Sequence, residues 1–294
     1  MPQAADHLRA ARLSRGRRRL ANARASASGG GGGRYVALVL VLILGTLVSI
    51  PMLGIGAAGT AALITFNRIS DELPDPGQLA NLSFAQPTVV YDRTGKIELG
   101  RFQKEQRRVV AFKEVPRLVL DTTTTAEDRT FWTNEGFDPY AILAAALQNA
   151  SGTSERGAST ITQQLVRARL LPKDVVAPGS DRVQRKLKEV IQSYRLATEF
   201  PGQAGKEKVI TAYLNEVFYG HGAYGVAAAA SIYFGVNDLK KLTAAQAALL
   251  AGLPQSPTLY DPYLFAKEDA KGRLVIPQDS QIVARRNYIL QNLA

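Results

Sequence analysis

The longest hydrophobic pattern in this chain runs from Val36 to Ala62. Every residue in it is apolar or small, and no charged residue occurs between Arg34 and Arg68. The run exceeds the roughly 20 residues that an α-helix needs to cross a bilayer core. It therefore predicts one transmembrane anchor over residues 35–66. A cleaved signal peptide stays open as the alternative, because residues 57–61 are small and suit processing.

A second pattern follows in the region from 67 to 115, which begins with a proline-containing linker. The apolar run Thr88–Tyr91 leads through Asp92–Gly95 into Lys96–Leu99, where apolar and polar residues alternate. An apolar run, a turn and an alternating run are typical of two paired strands. This region is therefore predicted to contain a linker and a short β-hairpin.

From residue 116 to residue 294 the pattern is helical and predicts a separate domain. Residues that typically start helices are Asp138 with Pro139, Thr160 with Gln163 in a capping box, Asp181, and Thr243 with Gln246. The helices are predicted to end near Gly152, between Asn215 and Tyr219, and before Pro254. The chain is thus predicted to be mainly α, with a small β-hairpin and one preceding transmembrane helix.

Positive charge is concentrated at the N-terminus. The net charge of the chain is +11, and residues 1–34 carry eight arginines against Asp6, which leaves about +4 for the remainder. This segment is predicted to be a basic, disordered arm. By the positive-inside rule, arginine on this side of the apolar run predicts that the arm lies in the cytoplasm. The residues after the run are then predicted to lie outside the cytoplasm. A basic arm can also bind nucleic acid, but the adjoining apolar run argues against that partner.

The composition excludes several kinds of chemistry. The chain has no cysteine, so it forms no disulfide and uses no thiolate. Its only histidines are His7 and His221, which excludes histidine metal cages and most histidine triads. The sequence Gly220–Gly225 matches the dinucleotide pattern G-x-G-x-x-G, but a helix precedes it where a strand is required. A glycine-rich turn between helices is the better interpretation.

Two carboxylates lie in polar motifs, Glu127–Phe131 and Arg185–Glu189, on either side of Gly157–Gln164. A carboxylate can take a proton from a hydroxyl. A second carboxylate among Arg and Lys suits a place where a polyanion must be held. The combination indicates sugar transfer from a phosphate-activated donor.

Glu127 also has a purely structural interpretation. Thr124 to Glu127 fits a capping box, with Glu127 at the third helical position. The two roles are compatible. A carboxylate at a helix start beside Phe131 and Trp132 would be partly desolvated, which raises its pKa toward that of a useful base.

Glu189 has two interpretations as well. Arg185 and Glu189 are four residues apart and can pair on a solvated helix face, in a stripe that Lys186 and Arg182 extend. Three cations are more than one carboxylate needs, however, and Arg matches the geometry of phosphate oxygens. An anion-binding surface is the alternative.

These motifs together resemble the peptidoglycan glycosyltransferases of family 51, over a stretch from about Val89 to Ala294. Members of that family are the polymerising domain of class A penicillin-binding proteins and the monofunctional transglycosylases. The motifs that match are Glu127–Phe131 with Gly136 and Asp138, Gly157–Gln164, Arg185–Glu189, Tyr213–Asn215 with Gly222–Gly225, and Leu249–Pro254 with Arg285–Asn287. Five motifs in the family's order are a highly specific match.

Some positions depart from the family pattern. They are Asn134 in place of His, Thr211 in place of Glu, Arg167 in place of Lys, the Thr122–Thr125 run, and about six extra residues around Ala177–Ser180. None of them removes a catalytic carboxylate.

The resemblance implies a lysozyme-like domain that extends glycan strands from lipid II, a disaccharide-pentapeptide on undecaprenyl pyrophosphate. It makes Glu127 the general base and Glu189 the second catalytic carboxylate. It also implies donor pyrophosphate-binding residues, namely Arg167, Arg182, Arg185, Lys186 and Lys188. Residues implied to contact sugar or line the cleft are Asp128, Phe131, Ser159, Thr160, Gln163, Gln164 and Asn215.

No cofactor is required by the resemblance, although Glu189 is a candidate to hold a divalent cation, Mg or Mn, on the pyrophosphate. The implied partners are lipid II, the growing glycan strand, the membrane and a cell-wall synthesis complex, with no nucleic acid. The implied location is the bacterial plasma membrane, with a single-pass anchor and an extracytoplasmic catalytic domain. The stretch from Leu165 to Val176 suits either an interfacial segment or an ordinary amphipathic helix.

The sequence lacks the S-x-x-K, S-x-N and K-T-G motifs of transpeptidases, so we expect no covalent penicillin binding by this chain. The final helical pattern, from Gln281 to Ala294, has no stop signal. We therefore expect the N-terminal part of a class A penicillin-binding protein. A monofunctional transglycosylase, a lysozyme-like glycan-cleaving enzyme and a non-catalytic membrane scaffold are the alternatives.

Overall fold

The computed structural model describes residues 38–39, 42–43, 45, 57–84, 88–102, 105–151 and 159–293. The predicted basic arm and most of the predicted anchor lie outside these residues. Within the described part of the chain, no helix combines the length and the hydropathy that crossing a membrane requires.

The described residues are mainly helical, as predicted. The helices are α1 (Ala57–Asp71), α2 (Arg117–Glu127), α3 (Pro139–Ser151), α4 (Ile161–Arg169), α5 (Lys173–Val176), α6 (Arg182–Glu199), α7 (Gly202–Glu216), α8 (Val226–Phe234), α9 (Ala244–Gly252), α10 (Pro262–Phe265) and α11 (Gln281–Gln291). Short 3-10 helices cover Pro76–Asn81, Phe112–Glu114 and Leu239–Lys241. The strands are β1 (Thr88–Tyr91), β2 (Glu98–Phe102), β3 (Gln106–Arg107), β4 (Ala223–Tyr224), β5 (Lys267–Glu268) and β6 (Leu274–Val275).

The predicted β-hairpin is present, since β1 pairs with β2 in antiparallel register. The second strand begins at Glu98, two residues later than the alternating run. The carboxylate of Asp92 explains the delay, because it accepts the backbone N–H groups of Lys96 and Ile97, each at 3.2 Å. These two residues therefore belong to the turn.

A small parallel pair of strands was not predicted. Gln106 pairs with Ala223 and Arg107 with Tyr224, so each strand has only two residues and shows no alternating pattern. Strand β4 lies within the glycine-rich segment from Gly220 to Gly225. Its glycines at positions 220, 222 and 225 have positive φ angles, as expected for a turn between helices.

The chain divides into two compact units, one formed by residues 1–62 and 139–158 and the other by residues 63–138 and 159–294. In the first unit, α3 begins at Pro139, as the preceding Asp138 predicts. Ile142 and Ala145 of this helix are buried.

The second unit contains most of the described hydrophobic core. Helix α4 packs against α6 and α7, and α9 packs against α2 and α11. Leu165, Val166 and Leu170 lie in this core, with 1% or less of each side chain exposed. The stretch that begins at Leu165 therefore supports the amphipathic-helix interpretation, because its apolar side chains face the protein interior.

The chain that follows α1 is hydrogen-bonded to α6. Gln192 Nε2 donates to the carbonyl of Pro74 at 2.8 Å, and Arg195 Nη1 donates to the same carbonyl at 3.3 Å. Lys188 forms an ion pair with Glu72 at 3.3 Å. These contacts hold the segment between α1 and the first 3-10 helix against α6.

Candidate active site

Glu127 is the last residue of α2, a helix that begins at Arg117 after Pro116. The predicted capping box, with Glu127 near a helix start, is therefore wrong. The hydroxyl of Thr124 donates to the carbonyl of Leu120 one turn earlier, at 3.1 Å. The Thr124 hydroxyl is therefore satisfied by the helix backbone, and Thr124 lies inside α2 and does not cap its start.

The two carboxylate oxygens of Glu127 have different surroundings. Oε2 accepts a hydrogen bond of 2.7 Å from Gln164 Nε2. Oε1 is buried and has no hydrogen-bond partner among the described residues. Burial raises the pKa of Glu127, an effect that the Gln164 hydrogen bond and the charge of Arg285 oppose. The side chain therefore presents one unoccupied oxygen with increased proton affinity, which is what a general base requires.

The orientation of Gln164 is fixed from its other end. Gln164 Oε1 accepts a hydrogen bond of 3.3 Å from the hydroxyl of Tyr213. Tyr213 is buried, and burial raises its pKa well above the ordinary value. Its hydroxyl therefore stays protonated and donates, which leaves the amide N–H₂ of Gln164 directed at Glu127.

Asp128, predicted to line the cleft, instead supports the start of α4. Its buried carboxylate accepts the backbone N–H of Ile161 at 3.1 Å and the Nδ2 of Asn134 at 3.1 Å. Asn134 Oδ1 in turn accepts from Lys206 Nζ at 3.0 Å. The amide at position 134, where the family pattern has His, thus joins Asp128 to Lys206.

Phe131 is completely buried. Lys206 Nζ lies 4.8 Å from the centre of its ring, and Trp132 meets it edge-on at 5.0 Å. Phe131 therefore packs inside the protein and is not placed to contact a sugar.

The capping box predicted at Thr160 is confirmed. Thr160 Oγ1 accepts the backbone N–H of Gln163 at 3.1 Å, and Gln163 Oε1 accepts the backbone N–H of Thr160 at 3.1 Å. Thr160 Oγ1 also donates to the carbonyl of Gly136 at 2.7 Å. Thr160 is thus buried scaffolding that joins the first motif to the second.

Gly136 can be tested as part of that scaffold. Its φ angle is +90°, and a Cβ atom there would lie 2.2 Å from the carbonyl oxygen of Ser193. We expect Gly136→Ala to lower the free energy of unfolding by about 2–4 kcal/mol, measured by chemical denaturation. Gly95→Ala is the matched control, because Gly95 has a φ of +70° and no atom within 4 Å of the added Cβ. Equal losses in both variants would show that the contact with Ser193 is unimportant.

Glu189 lies on α6 with only 1% of its surface exposed. Arg167 Nε is 2.7 Å from its Oε1, Arg185 Nε is 3.6 Å from the same oxygen, and Lys186 Nζ is 3.2 Å from Oε2. The interpretation of a solvated ion-pair stripe does not hold for a carboxylate buried in this way. Glu189 instead gathers three cations around one point.

Lys186 is the most constrained of these cations. Its Nζ donates to Ser159 Oγ at 2.7 Å and to Gln163 Oε1 at 3.1 Å, in addition to Glu189. Burial lowers the pKa of Lys186, and the neighbouring Glu189 carboxylate opposes that shift. The predicted residues Ser159, Gln163, Lys186 and Glu189 are therefore brought together.

Three other predicted site residues lie apart from this cluster. Arg182 is exposed at the start of α6 and makes no hydrogen bond or ion pair with a described residue. Lys188 is directed at Glu72, because side chains two residues apart on a helix point to different faces. Asn215 is buried and exchanges two hydrogen bonds of 2.9 Å with the backbone of Val110, so it serves as scaffold.

The first turn of α4 links the two carboxylates. Gln164 bonds Glu127 at 2.7 Å, and the adjacent Gln163 bonds Lys186 at 3.1 Å. Lys186 then contacts Glu189 at 3.2 Å. Glu127 and the cation cluster thus contact the same turn of α4. Two cavities of about 270 and 490 Å³ lie elsewhere, and neither is lined by Glu127 or Glu189.

A family model described as Transglycosylase matches residues 95–294, which is more than half of the chain. The chain belongs to the transglycosylase family. The predicted membership of glycosyltransferase family 51 is confirmed.

Relatives of this transglycosylase chain carry the name penicillin-binding protein 1A. The protein of Rickettsia prowazekii is 35% identical over 243 residues, covering 81% of this chain and 27% of the relative. The protein of Aquifex aeolicus is 37% identical over 216 residues, covering 73% of this chain and 28% of the relative. The chain therefore spans little more than a quarter of the length of these relatives.

A solved structure was also found, the crystal structure of penicillin-binding protein 1A from Haemophilus influenzae. It is 21% identical to this chain, covers 72% of it and 19% of the solved chain, and superposes with a TM-score of 0.33.

The described part of this transglycosylase contains no group of three or more acidic or histidine side chains that could hold a metal ion. Both oxygens of Glu189 are in contact with cations, so a divalent ion bound to it directly would have to displace Arg167 or Lys186. The cluster suits an anion better than a divalent cation.

Arg285 is a neighbour of Glu127 to which sequence reasoning gave no role. It lies on α11, and its Nη2 donates to the carbonyl of Ala126 at 3.1 Å. The family resemblance includes Arg285 in its last motif, but neither the helical pattern nor that motif shows which part of the site the side chain reaches.

Proposed function

We propose that this chain is a peptidoglycan glycosyltransferase that polymerises lipid II into glycan strands and releases undecaprenyl pyrophosphate. One observation carries the proposal. Glu127, whose buried Oε1 has no hydrogen-bond partner among the described residues, is bonded to the same turn of α4 that contacts the cation cluster around Glu189. Family membership supplies the reaction class, and this geometry supports the residue roles that we propose within it.

The first step of the proposed reaction is proton transfer. Glu127 Oε1 accepts the proton of the GlcNAc 4-hydroxyl of the acceptor. The resulting oxygen attacks the anomeric carbon of the growing strand and inverts it. The bond from that carbon to the pyrophosphate breaks, and its electron pair stays on the departing phosphate oxygen. A positioned base is worth about 10²- to 10⁴-fold in rate.

The second component is stabilisation of the leaving group. The departing pyrophosphate gains negative charge as the bond breaks, so cations fixed in advance stabilise the transition state more than the ground state. Arg167, Arg185 and Lys186 are fixed in this way by Glu189. Arg182 lies exposed one turn earlier on α6, without a partner among the described residues, and is proposed to contact the same anion.

Glu189 itself is a positioning residue in this proposal. Both of its oxygens are occupied by cations, whereas Oε1 of Glu127 is not. Glu189 holds the cations in place, and the cations alone neutralise the pyrophosphate. This mechanism does not include a divalent ion on the pyrophosphate, and a chelator can test whether the reaction needs one.

We propose the membrane anchor and the location of this chain from its sequence and from the names of its relatives. The apolar run Val36–Ala62 suits a single-pass anchor in the bacterial plasma membrane, with the lysozyme-like catalytic domain on the outer face. There the domain would meet lipid II and the growing strand, whose lipid stays in the bilayer, and could join a cell-wall synthesis complex. The names of the relatives favour the N-terminal part of a class A penicillin-binding protein over a monofunctional transglycosylase.

In the deciding experiment, purified protein is incubated with lipid II in one reaction and with finished peptidoglycan in another. We expect glycan polymer from the first, seen on a gel, and no soluble fragments from the second. A parallel lipid II reaction with a chelator tests the divalent ion, and unchanged polymer yield is expected. Fragments from peptidoglycan without polymer from lipid II would instead establish a glycan-cleaving enzyme, whose reaction has no use for the cation cluster.

A further inference from the structure

Arg285 reaches the end of α2 from a helix far away in the sequence. Its Nη2 donates to the carbonyl of Ala126, the residue before Glu127, at 3.1 Å. Its Cγ lies against Gly252 of α9, where an added Cβ would approach it to 2.9 Å. Its guanidinium also lies 5.6 Å from the centre of the Tyr288 ring. The side chain is thus held in place from α2, α9 and α11.

The guanidinium is close to the Glu127 carboxylate without pairing with it. No ion pair or hydrogen bond joins Arg285 to Glu127 among the described contacts, and Arg285 Nε and Glu127 Oε1 are both buried without a partner. A direct ion pair would occupy the oxygen that must take the substrate's proton. A cation that acts only through space leaves that oxygen without a bonded partner, and arginine stays charged at every pH used for an enzyme assay.

Several other groups face Glu127. The negative charge of Asp128, the next residue in the chain, raises the pKa of Glu127. Gln164 of α4 donates a hydrogen bond to it, and the buried hydroxyls of Tyr213 and Tyr219 lie close enough to respond to its charge. Among the described residues, Arg285 is the cation whose charge lowers the pKa of Glu127.

We propose that Arg285 is a positioning residue for Glu127, which holds the last turn of α2 through the carbonyl of Ala126 and places a fixed positive charge beside the base. The proposal rests on the proposed function. It adds a role for a residue of the last family motif.

The test is the pH dependence of kcat/KM for lipid II polymerisation by the full chain and by Arg285→Met. Methionine retains an unbranched apolar side chain and removes the charge. Loss of a neighbouring cation favours the protonated carboxyl group, so more of the base is inactive on the acid side. We expect the acid limb to move up by about one pH unit, a loss of about tenfold there that recovers as the pH rises.

Two further variants separate charge from packing. Arg285→Lys keeps a cation, and its acid limb should stay close to that of the wild type. Arg286→Met removes the same charge from the next residue, whose guanidinium bonds Asn287, and it should leave the profile unchanged. An acid limb that does not move in Arg285→Met, or the same shift in Arg286→Met, would overturn the proposal.

A direct titration makes the result independent of turnover. The ¹³C carboxyl signal of Glu127, assigned by its disappearance in Glu127→Gln, should titrate at higher pH in Arg285→Met than in the wild type. If the wild type makes no polymer, the proposed function fails while this titration still decides the role of Arg285. If Arg285→Met does not fold, Arg285→Lys and Arg285→Gln replace it as a charged and neutral pair, and equal titration curves would reject the proposal.

Discussion

Glu127→Gln is expected to lower lipid II polymerisation by about 10²- to 10⁴-fold, because the amide cannot take the proton of the acceptor hydroxyl. Glutamine has nearly the same shape and retains an oxygen that can accept from Gln164. Burial raises the pKa of Glu127, so the ionised form weakens the fold. We therefore expect the variant to unfold at the same temperature as the wild type or a higher one.

The pH dependence of stability supplies a second readout for this variant. A carboxyl group whose pKa is raised in the folded protein contributes stability below its unfolded pKa, and that contribution is lost as pH rises through the folded pKa. Glu127→Gln should remove this loss from the stability profile. Glu135→Gln, an exposed carboxylate eight residues away, is the control and should retain full activity. If Glu127→Gln keeps more than about a tenth of the wild-type rate, another group is the base.

Glu189→Gln has the second largest expected effect, since it removes the charge that three cations share. Arg167, Arg185 and Lys186 would then repel one another around a neutral amide in a site with 1% exposure. Removing one partner of a fully buried pair costs about 3–5 kcal/mol. The three cations are 20% to 40% exposed, so a loss of about 2–3 kcal/mol is expected. Chemical denaturation measures it.

The same variant should also weaken catalysis, because the cations would no longer be held in one arrangement before the pyrophosphate departs. Glu72→Gln is the matched control. It removes the partner of Lys188, but Glu72 is 52% exposed, and an exposed pair is worth only about 0–1 kcal/mol. Similar losses of stability in the two variants would mean that burial of Glu189 is unimportant, and an unaffected polymerisation rate would exclude its role in the site.

Elements with local hydrogen-bonding chemistry were predictable from the sequence. The starts of α4, α6 and α9 follow from Thr160, Asp181 and Thr243, whose side chains accept backbone N–H groups two or three residues later. The turn of the β-hairpin follows from Asp92 in the same way. In each case the partner atoms lie within a few residues, so the sequence contains the whole interaction.

Features that depend on distant residues were not predictable. Helix α2 has no side-chain cap at Pro116, so its start left no local signal and Glu127 was placed at the wrong end of it. The ion-pair partner of Lys188 is Glu72, 116 residues away. Arg285 reaches Ala126 across 159 residues. Sequence spacing contains no information about contacts of this kind.

Family motifs also proved to mark two kinds of residue. Ser159, Gln163 and Gln164 contact the base or the cation cluster. Asp128 and Asn215, which also belong to matched motifs, are buried and bond the backbone instead. A motif therefore identifies residues that the site needs, whether they contact a substrate or stabilise the surrounding backbone. Their hydrogen-bond partners, which the sequence does not give, separate the two.

Gln163 and Gln164 are neighbours in the chain, so two functions depend on one short piece of backbone. Successive residues of an α-helix point about 100° apart, which sends one amide to Lys186 and the next to Glu127. A shift of this turn cannot alter one contact and spare the other. A displacement of this turn would therefore disturb both proposed functions, proton removal and diphosphate binding, together.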